Sequence, residues 1–211
     1  MLQPLTDIDI SHAAFRFARV FEANVAGVAA RLARITYVGA LGWEISCDAA
    51  DAPAIWRALH GAGARPAGMH ALDWLRLEKG YRHWGHDISP EDDPFEAGLD
   101  FVVKFDKNVD FIGRAALIQK RGQEPTRRLM SFQLEDPEPL LIGHEPVFRD
   151  GEVVGYVTSG GYGPALGAAI GLGYVTAGAG DRFEIEIAGE RFAAKATLDP
   201  LLEPENPHMR A

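Results

Sequence analysis

The first fifty residues alternate between apolar and polar side chains in a way that predicts a small antiparallel sheet. Alternating runs cover residues 19–24 and 28–38, and Val25-Ala26-Gly27 between them supplies the glycine that a tight hairpin turn favours. A third run over residues 42–47 predicts one further strand. The chain is therefore expected to begin with three short strands joined by turns.

Two segments after this sheet predict helices. Asp51 is a good N-cap for a helix over residues 52–60, and Gly61 follows as a stop signal. A second helix is predicted over residues 69–79, ending before Gly80. Its apolar residues lie all round the helix axis, so this helix should be largely buried.

The second half of the chain predicts a small antiparallel barrel. After a loop at residues 89–94 and a short helix that runs to residue 120, apolar runs recur at close spacing between glycine-rich turns. The runs cover residues 129–134, 153–158, 168–175, 183–187 and 191–196. We therefore predict an α+β fold, with a first domain over residues 1–119 and a barrel domain over residues 120–211.

Composition and charge exclude several classes of protein. Hydrophobic residues make up 47% and charged residues 24% of the chain, as in an ordinary folded protein. No apolar run approaches the roughly 20 residues of a membrane span, and the first residues show no signal-peptide pattern. A net charge of −9 argues against nucleic acid as a principal partner, because phosphate binding needs clustered lysine and arginine. The single Cys47 excludes an internal disulfide framework and favours the reducing cytoplasm.

The turn between the second and third predicted strands is the first candidate for chemistry. Its two glycines, Gly39 and Gly42, should bring Tyr37 and Glu44 close together. A carboxylate beside an aromatic ring suits a flat heterocycle with a guanidine-like edge, because the carboxylate accepts paired N–H bonds while the ring covers one face. A surface glutamate and a half-buried tyrosine after a hairpin would give the same pattern, so both interpretations stay open.

The predicted second helix carries charges that need partners, and a tyrosine follows its end. Asp73 and Arg76 are three residues apart and can pair on one helix face, most simply as a structural ion pair. Tyr81 lies just beyond the helix, where it is better placed to face a ligand than to fill the core.

The sequence predicts neither a metal site nor a phosphate-binding loop. His83, His86 and Asp87 are too loosely spaced for a metal and lack a further ligand nearby. The glycine-rich stretch at residues 159–164 lacks the spacing of a phosphate-binding loop, and no G-x-G-x-x-G motif occurs in the chain.

Several of these stretches recur together in one known family. They are residues 37–44 (Tyr-Val-Gly-Ala-Leu-Gly-Trp-Glu), 73–78 (Asp-Trp-Leu-Arg-Leu-Glu), 85–88 (Gly-His-Asp-Ile), 158–160 (Thr-Ser-Gly) and 171–175 (Gly-Leu-Gly-Tyr-Val). The combination resembles the aminomethyltransferase (glycine-cleavage T-protein) family. Residues 78–84 and 94–99 are similar to one branch in particular, the C-terminal module of flavin-dependent sarcosine and dimethylglycine dehydrogenases.

The resemblance implies both a fold and an activity. The fold would be part of a T-protein-like folate-binding α/β domain followed by the barrel. The module would bind tetrahydrofolate and accept a one-carbon unit from an N-methylated amine or its imine product. Tyr37, Glu44 and Tyr81 would line the pterin pocket, with Glu44 gripping the pterin edge. FAD would belong to an upstream domain or a flavin oxidoreductase partner.

The chain also departs from the family pattern. Ala40 replaces the first glutamate of the turn motif, and Leu72 replaces an arginine at a position where the dehydrogenase branch often has an apolar residue. Tyr81 stands where the iron–sulfur-repair relatives carry cysteine, which argues against that function. The catalytic aspartate of the family lies in an upstream segment that this chain does not contain, so we assign no catalytic residue here.

This missing aspartate supports an alternative function. The chain could be a non-catalytic domain that binds folate or packs against a flavin oxidoreductase. We expect a fragment or a subunit that has no measurable transfer activity alone. We also expect it to expose an apolar sheet edge or face in its first half, where three strands are few for a closed sheet.

A basic cluster near the predicted domain boundary suggests a further contact with folate. One acid, Glu124, accompanies five basic residues, which are Arg114, Lys120, Arg121, Arg127 and Arg128. We predict that this cluster meets the polyglutamate tail of folate; a solvated linker would give the same pattern.

Overall fold

In the computed structural model, which describes residues 1–178 and 180–202, the alternating runs at the start of the chain form the predicted sheet. β1 (Val20–Val25) and β2 (Val28–Ala33) pair as an antiparallel hairpin, and β3 (Glu44–Ser46) pairs with β2. Gly27 in the hairpin turn has a φ of +81°, a conformation that favours glycine. The predicted hairpin is confirmed.

The second strand is shorter than the alternation predicted. The alternation predicted a strand up to residue 38, whereas β2 ends at Ala33. Arg34 is buried, and its Nη1 donates a 2.6 Å hydrogen bond to the carbonyl oxygen of Phe15. Alternation alone could not show that this arginine points into the core.

The sheet and one helix form the first of two compact units, Met1–Asp73. α1 (Ala52–Gly61) packs Ile55 into a cluster with Phe15 and Leu32, all three of them buried. Asp51 precedes the helix as predicted, but its side chain makes no capping hydrogen bond. On β1, Val20 and Phe21 are 53% and 43% exposed, so this strand presents an apolar surface to solvent.

The second unit begins at Trp74, within α2 (Met69–Glu78). Only the last turn of α2 is fully buried, whereas Met69 and Leu75 are exposed, so the prediction of a largely buried helix was right only at that end. A 3-10 turn at Asp100–Val102 and α3 (Arg114–Lys120) follow.

Six strands after α3 close into an antiparallel barrel, as predicted. Their order round the barrel is β4-β7-β6-β5-β8-β9. Their bounds are β4 Arg127–Leu134, β5 Pro146–Arg149, β6 Glu152–Gly163, β7 Ala168–Thr176, β8 Arg182–Ile187 and β9 Glu190–Thr197. The interior is filled by residues such as Phe132, Val157 and Ile185, none of which is exposed to solvent. The domain boundary near residue 120 stays a prediction.

Two features of the barrel differ from the prediction. β5 was missed, because it has only four residues, begins with proline and buries two neighbouring side chains instead of alternating. β6 continues through Gly160 and Gly161, which were predicted to lie in a turn. A Cβ on Gly160 would lie 2.6 Å from the carbonyl oxygen of Leu141, and one on Gly161 would lie 2.5 Å from the Trp74 ring. These glycines allow close packing rather than chain reversal.

Replacing Tyr174 by phenylalanine is expected to stabilise the protein by about 1 kcal/mol at neutral pH. The Tyr174 hydroxyl is buried and has no hydrogen-bond partner among residues 1–178 and 180–202, so removing it ends a desolvation cost. The ring keeps its contact with the Arg127 guanidinium, 4.4 Å from its centre. Urea unfolding measures the effect, with the exposed Tyr156→Phe as the control. A loss of stability in Tyr174→Phe would show that the hydroxyl has a bonding partner.

The same substitution should change how stability depends on pH. Burial, with a smaller contribution from Asp92, raises the pKa of Tyr174 above its ordinary value. Above pH ~10 the unfolded chain therefore loses this proton while the folded protein keeps it, so the stability contributed by Tyr174 is lost as pH rises. The Tyr174→Phe variant should lose less stability between pH 8 and pH 10.5 than the parent protein.

Candidate functional site

The loop between β2 and β3 carries Tyr37, leads directly into Glu44 on β3 and is fixed at both of its ends. Arg34 at its start donates to the Phe15 carbonyl, and Trp43 at its end packs edge-on against the Phe15 ring with centroids 4.7 Å apart. The Arg34 guanidinium also lies 5.7 Å from the centre of the Trp43 ring. Because Arg34 and Trp43 both contact Phe15, the two ends of the loop are held close together.

Tyr37 and Glu44 lie on either side of the glycine pair in this loop. Tyr37 is half-buried, and Glu44 is the solvent-exposed first residue of β3. Gly39 has a φ of +70°, and a Cβ on Gly42 would lie 3.2 Å from the carbonyl oxygen of Ile35, so both positions favour glycine. The exposed carboxylate can accept N–H bonds from a ligand.

Tyr81 lies in the second unit, directly after α2, and its main chain is held on both sides. Its N–H donates to the Arg76 carbonyl at 2.9 Å, and its own carbonyl accepts from Arg76 Nη1 at 3.0 Å. The preceding Gly80 carbonyl accepts from Arg82 Nη1 at 2.7 Å, and Arg82 Nε donates to the Ala97 carbonyl at 3.0 Å. The ring is half-buried, and burial raises the pKa of the Tyr81 phenol. Tyr81 is therefore a neutral group with a well-defined position.

A buried ion pair anchors this turn to the barrel. Arg76 Nη1 lies 2.7 Å from Asp87 Oδ2, and the two side chains are 3% and 0% exposed. Thr158 Oγ1 donates to Asp87 Oδ1 at 2.5 Å, and Arg76 Nη2 donates to Ser159 Oγ at 3.0 Å. The backbone N–H of His83 also donates to Asp87 Oδ2, at 2.8 Å. One connected network therefore joins α2, the following loop and β6.

Sequence reasoning missed this network because it considered helix spacing alone. Arg76 forms an ion pair with Asp87 in the following loop, a partner that helix spacing could not indicate. The predicted pairing of Asp73 with Arg76 stays a prediction. A usable signal was present: Arg76, Asp87 and Thr158 each belong to a different one of the motifs that carry the family resemblance. Three of these short motifs therefore meet in the fold.

The two histidines in the loop after α2 stack on each other. The rings of His83 and His86 are parallel, with centroids 4.5 Å apart. Asp87, considered above as a possible third ligand, is bonded to Arg76 and Thr158. Across the part of the chain that the structure describes, no group of three His, Cys, Asp or Glu side chains could hold a metal ion.

Acids from a distant loop neutralise much of the basic cluster. Lys120 pairs with Asp93 at 2.8 Å, and Arg127 pairs with Asp92 at 2.6 Å and with Glu96 at 3.2 Å. The sequence had suggested a single neighbouring acid. That premise was wrong, because the loop before the 3-10 turn folds back and brings three more carboxylates to the cluster. These acids pair with two of the five basic residues, and the contact with a polyglutamate tail stays a prediction.

Two family profiles match the chain, one after the other. The GCVT N-terminal domain matches residues 1–107, and the glycine cleavage T-protein C-terminal barrel domain matches residues 127–203. The barrel of β4 to β9 lies within the second match. The chain belongs to the glycine cleavage T-protein family.

Curated relatives and a solved structure resemble most of the chain. Human mitochondrial sarcosine dehydrogenase is 37% identical over 224 residues, which cover 100% of this chain and 24% of that protein. The aminomethyltransferase of Geobacillus kaustophilus is 40% identical over 209 residues, which cover 95% of this chain and 56% of the enzyme. Glycine cleavage system aminomethyltransferase T from Bartonella henselae has a TM-score of 0.72 at 26% identity, covering 83% of this chain and 50% of that structure.

These similarities confirm the predicted family and its likeness to the sarcosine dehydrogenase branch. The chain spans only part of the length of these relatives, 24% of sarcosine dehydrogenase and 56% of the aminomethyltransferase. Among the residues described, no helix is long and apolar enough to cross a membrane.

Proposed function

We propose that this chain is the tetrahydrofolate-binding aminomethyltransferase module of an amine demethylase related to sarcosine and dimethylglycine dehydrogenases. The observation that carries the proposal is Tyr81, a half-buried ring whose main chain is bonded on both sides by Arg76. An aromatic ring on a fixed main chain suits a flat heterocycle, because it can cover one face while losing little conformational freedom.

Tyr37 and Glu44 would supply the remaining contacts with folate. The Glu44 carboxylate would accept paired N–H bonds from the edge of the pterin, and the Tyr37 ring would cover part of its surface. These residue types fit the ligand, since a carboxylate complements the donors of the pterin and aromatic rings complement its faces. Tetrahydrofolate would take up the one-carbon unit through its own nitrogens.

The chain itself would contribute binding and orientation. Holding the folate nitrogens against the imine that FAD would form by oxidising an N-methylated amine would raise the rate by proximity. FAD would be bound by another domain or by a flavin oxidoreductase partner. We further propose a reducing compartment, with the cytoplasm as the location predicted from the single Cys47.

An assembly domain without chemistry of its own is the second candidate function. Between residues 101 and 112 several large apolar side chains face solvent: Phe101 is 64% exposed, Val109 71% and Ile112 fully exposed. Apolar side chains gathered on one exposed segment favour a surface that another protein covers. This function would be supported if the chain bound folate but formed no methylenetetrahydrofolate even with the flavin oxidoreductase present.

Replacing Glu44 by alanine is expected to weaken binding of tetrahydrofolate by about 30-fold, or about 2 kcal/mol, because the pterin donors lose their charged acceptor. Isothermal titration calorimetry of tetrahydrofolate into the full chain measures the effect. Glu22→Ala is the matched control, since Glu22 is an exposed acid on the same sheet, paired with Arg31. Equal affinity of Glu44→Ala and the parent chain would overturn the assignment of Glu44.

A further inference from the structure

We infer that Asp87 is a positioning residue for Tyr81, which it holds in place through Arg76. This inference rests on the proposed function, in which Tyr81 contacts tetrahydrofolate. Asp87 would not touch the ligand; it would fix the Arg76 guanidinium, which in turn holds the Tyr81 carbonyl.

The first step concerns the contacts of Tyr81 with Arg76. Just past the end of a helix, an N–H often bonds back to a helix carbonyl, but that pattern gives the carbonyl of the same residue no partner. Here Arg76 bonds both the N–H and the carbonyl of Tyr81, with its own carbonyl and its Nη1. The N–H bond belongs to the end of the helix, whereas the bond to the Tyr81 carbonyl requires the Arg76 side chain to stay in place.

The second step concerns what holds Arg76 still. Arginine has several rotatable bonds, and its side chain stays in one rotamer only if its donors meet fixed acceptors. Nη1 is shared between the Tyr81 carbonyl and Asp87 Oδ2, and Nη2 is bonded to Ser159 on β6. Asp87 and Ser159, which lie outside α2, thus set the direction of the guanidinium.

The third step concerns Asp87 itself. Oδ1 accepts from the Thr158 hydroxyl on β6, and Oδ2 accepts from the His83 amide as well as from Arg76. The carboxylate thereby links a barrel strand, the loop that follows Tyr81 and the arginine that holds Tyr81. A charge so completely buried is costly unless every bond is made, so the arrangement tolerates one geometry.

A purely structural ion pair would stabilise the fold without affecting Tyr81 in particular. The two roles differ in what is measured at Tyr81 when the fold is intact. The backbone order parameter of Tyr81 from ¹⁵N relaxation reports its position directly, and it requires no ligand. Dissociation constants for tetrahydrofolate provide a second, functional readout.

The experiment compares Asp87→Asn with the parent chain and with Asp93→Asn, a control that removes a carboxylate paired with Lys120. In Asp87→Asn the Tyr81 order parameter should fall from roughly 0.85 to below about 0.6, while Leu172 in the barrel stays ordered. Tetrahydrofolate should bind about tenfold more weakly, and the effects of Asp87→Asn and Tyr81→Ala should not be additive. Asp93→Asn should leave both readouts unchanged.

The outcomes separate the two proposals. A folded Asp87→Asn chain with an unchanged Tyr81 order parameter would overturn the positioning role. If the parent chain bound no tetrahydrofolate, the proposed function would fail, and the order parameter would still decide the role of Asp87. If Asp87→Asn did not fold, Thr158→Val decides: it removes one bond to Asp87 at nearly constant shape and should lower the Tyr81 order parameter to a smaller extent.

Discussion

Replacing Arg76 by methionine is expected to lower the free energy of unfolding by about 3–5 kcal/mol. The substitution keeps the length of the side chain but leaves the Asp87 carboxylate buried without its counter-ion. The remaining donors, the Thr158 hydroxyl and the His83 amide, stabilise the charge only in part. Urea unfolding at pH 7 measures the loss.

The control is Arg128→Met, which removes an exposed pair with Glu124 at 3.2 Å. Exposed pairs of this kind contribute less than about 1 kcal/mol, because water screens the charges. Adding Asp87→Asn to Arg76→Met should recover part of the stability, since a neutral amide costs less to bury than a carboxylate. If Arg76→Met and Arg128→Met had equal effects, the buried pair would not stabilise the fold.

The contrast between these two pairs shows which parts of the fold the sequence could predict. Arg128 and Glu124 lie four residues apart on the chain. Arg76 and Asp87 lie 11 residues apart, and Lys120 and Asp93 lie 27 residues apart. Local spacing therefore found the hairpin, the helices and the barrel strands that alternate. It could not find pairs made by chain reversal, because these depend on which loop returns to which strand.

The same distinction applies to the candidate site. Tyr37, Glu44 and Tyr81 were predicted from residue type and motif, since each lies in a short stretch with a recognisable pattern. The support beneath Tyr81 was not found, because Arg76 and Ser159 are far apart in the sequence and meet only when the barrel has closed. The prediction for Gly160 and Gly161 was wrong for a related reason. Glycine is typical of turns, but these two glycines lie within a strand and allow close packing.

Replacing Gly155 by alanine tests that use of glycine and is expected to destabilise the barrel by about 3 kcal/mol or more. Gly155 on β6 pairs with Val175 on β7. An added Cβ would overlap the Tyr174 carbonyl oxygen and would lie 2.8 Å from its carbonyl carbon and 2.9 Å from the Val175 Cα. All three are backbone atoms of β7, so the clash can be relieved only if the two strands separate.

An opposing effect is smaller than this clash. Alanine restricts the unfolded chain more than glycine does, which favours folding by only about 0.4–1 kcal/mol. Gly61→Ala at the end of α1 isolates that opposing effect, because an added Cβ there meets nothing within 4 Å. We expect Gly61→Ala to be neutral or slightly stabilising in urea unfolding, while Gly155→Ala lowers the midpoint and increases amide exchange along β6 and β7. Equal stability of the two variants would mean that β6 and β7 are not as closely paired at Gly155 as the register indicates.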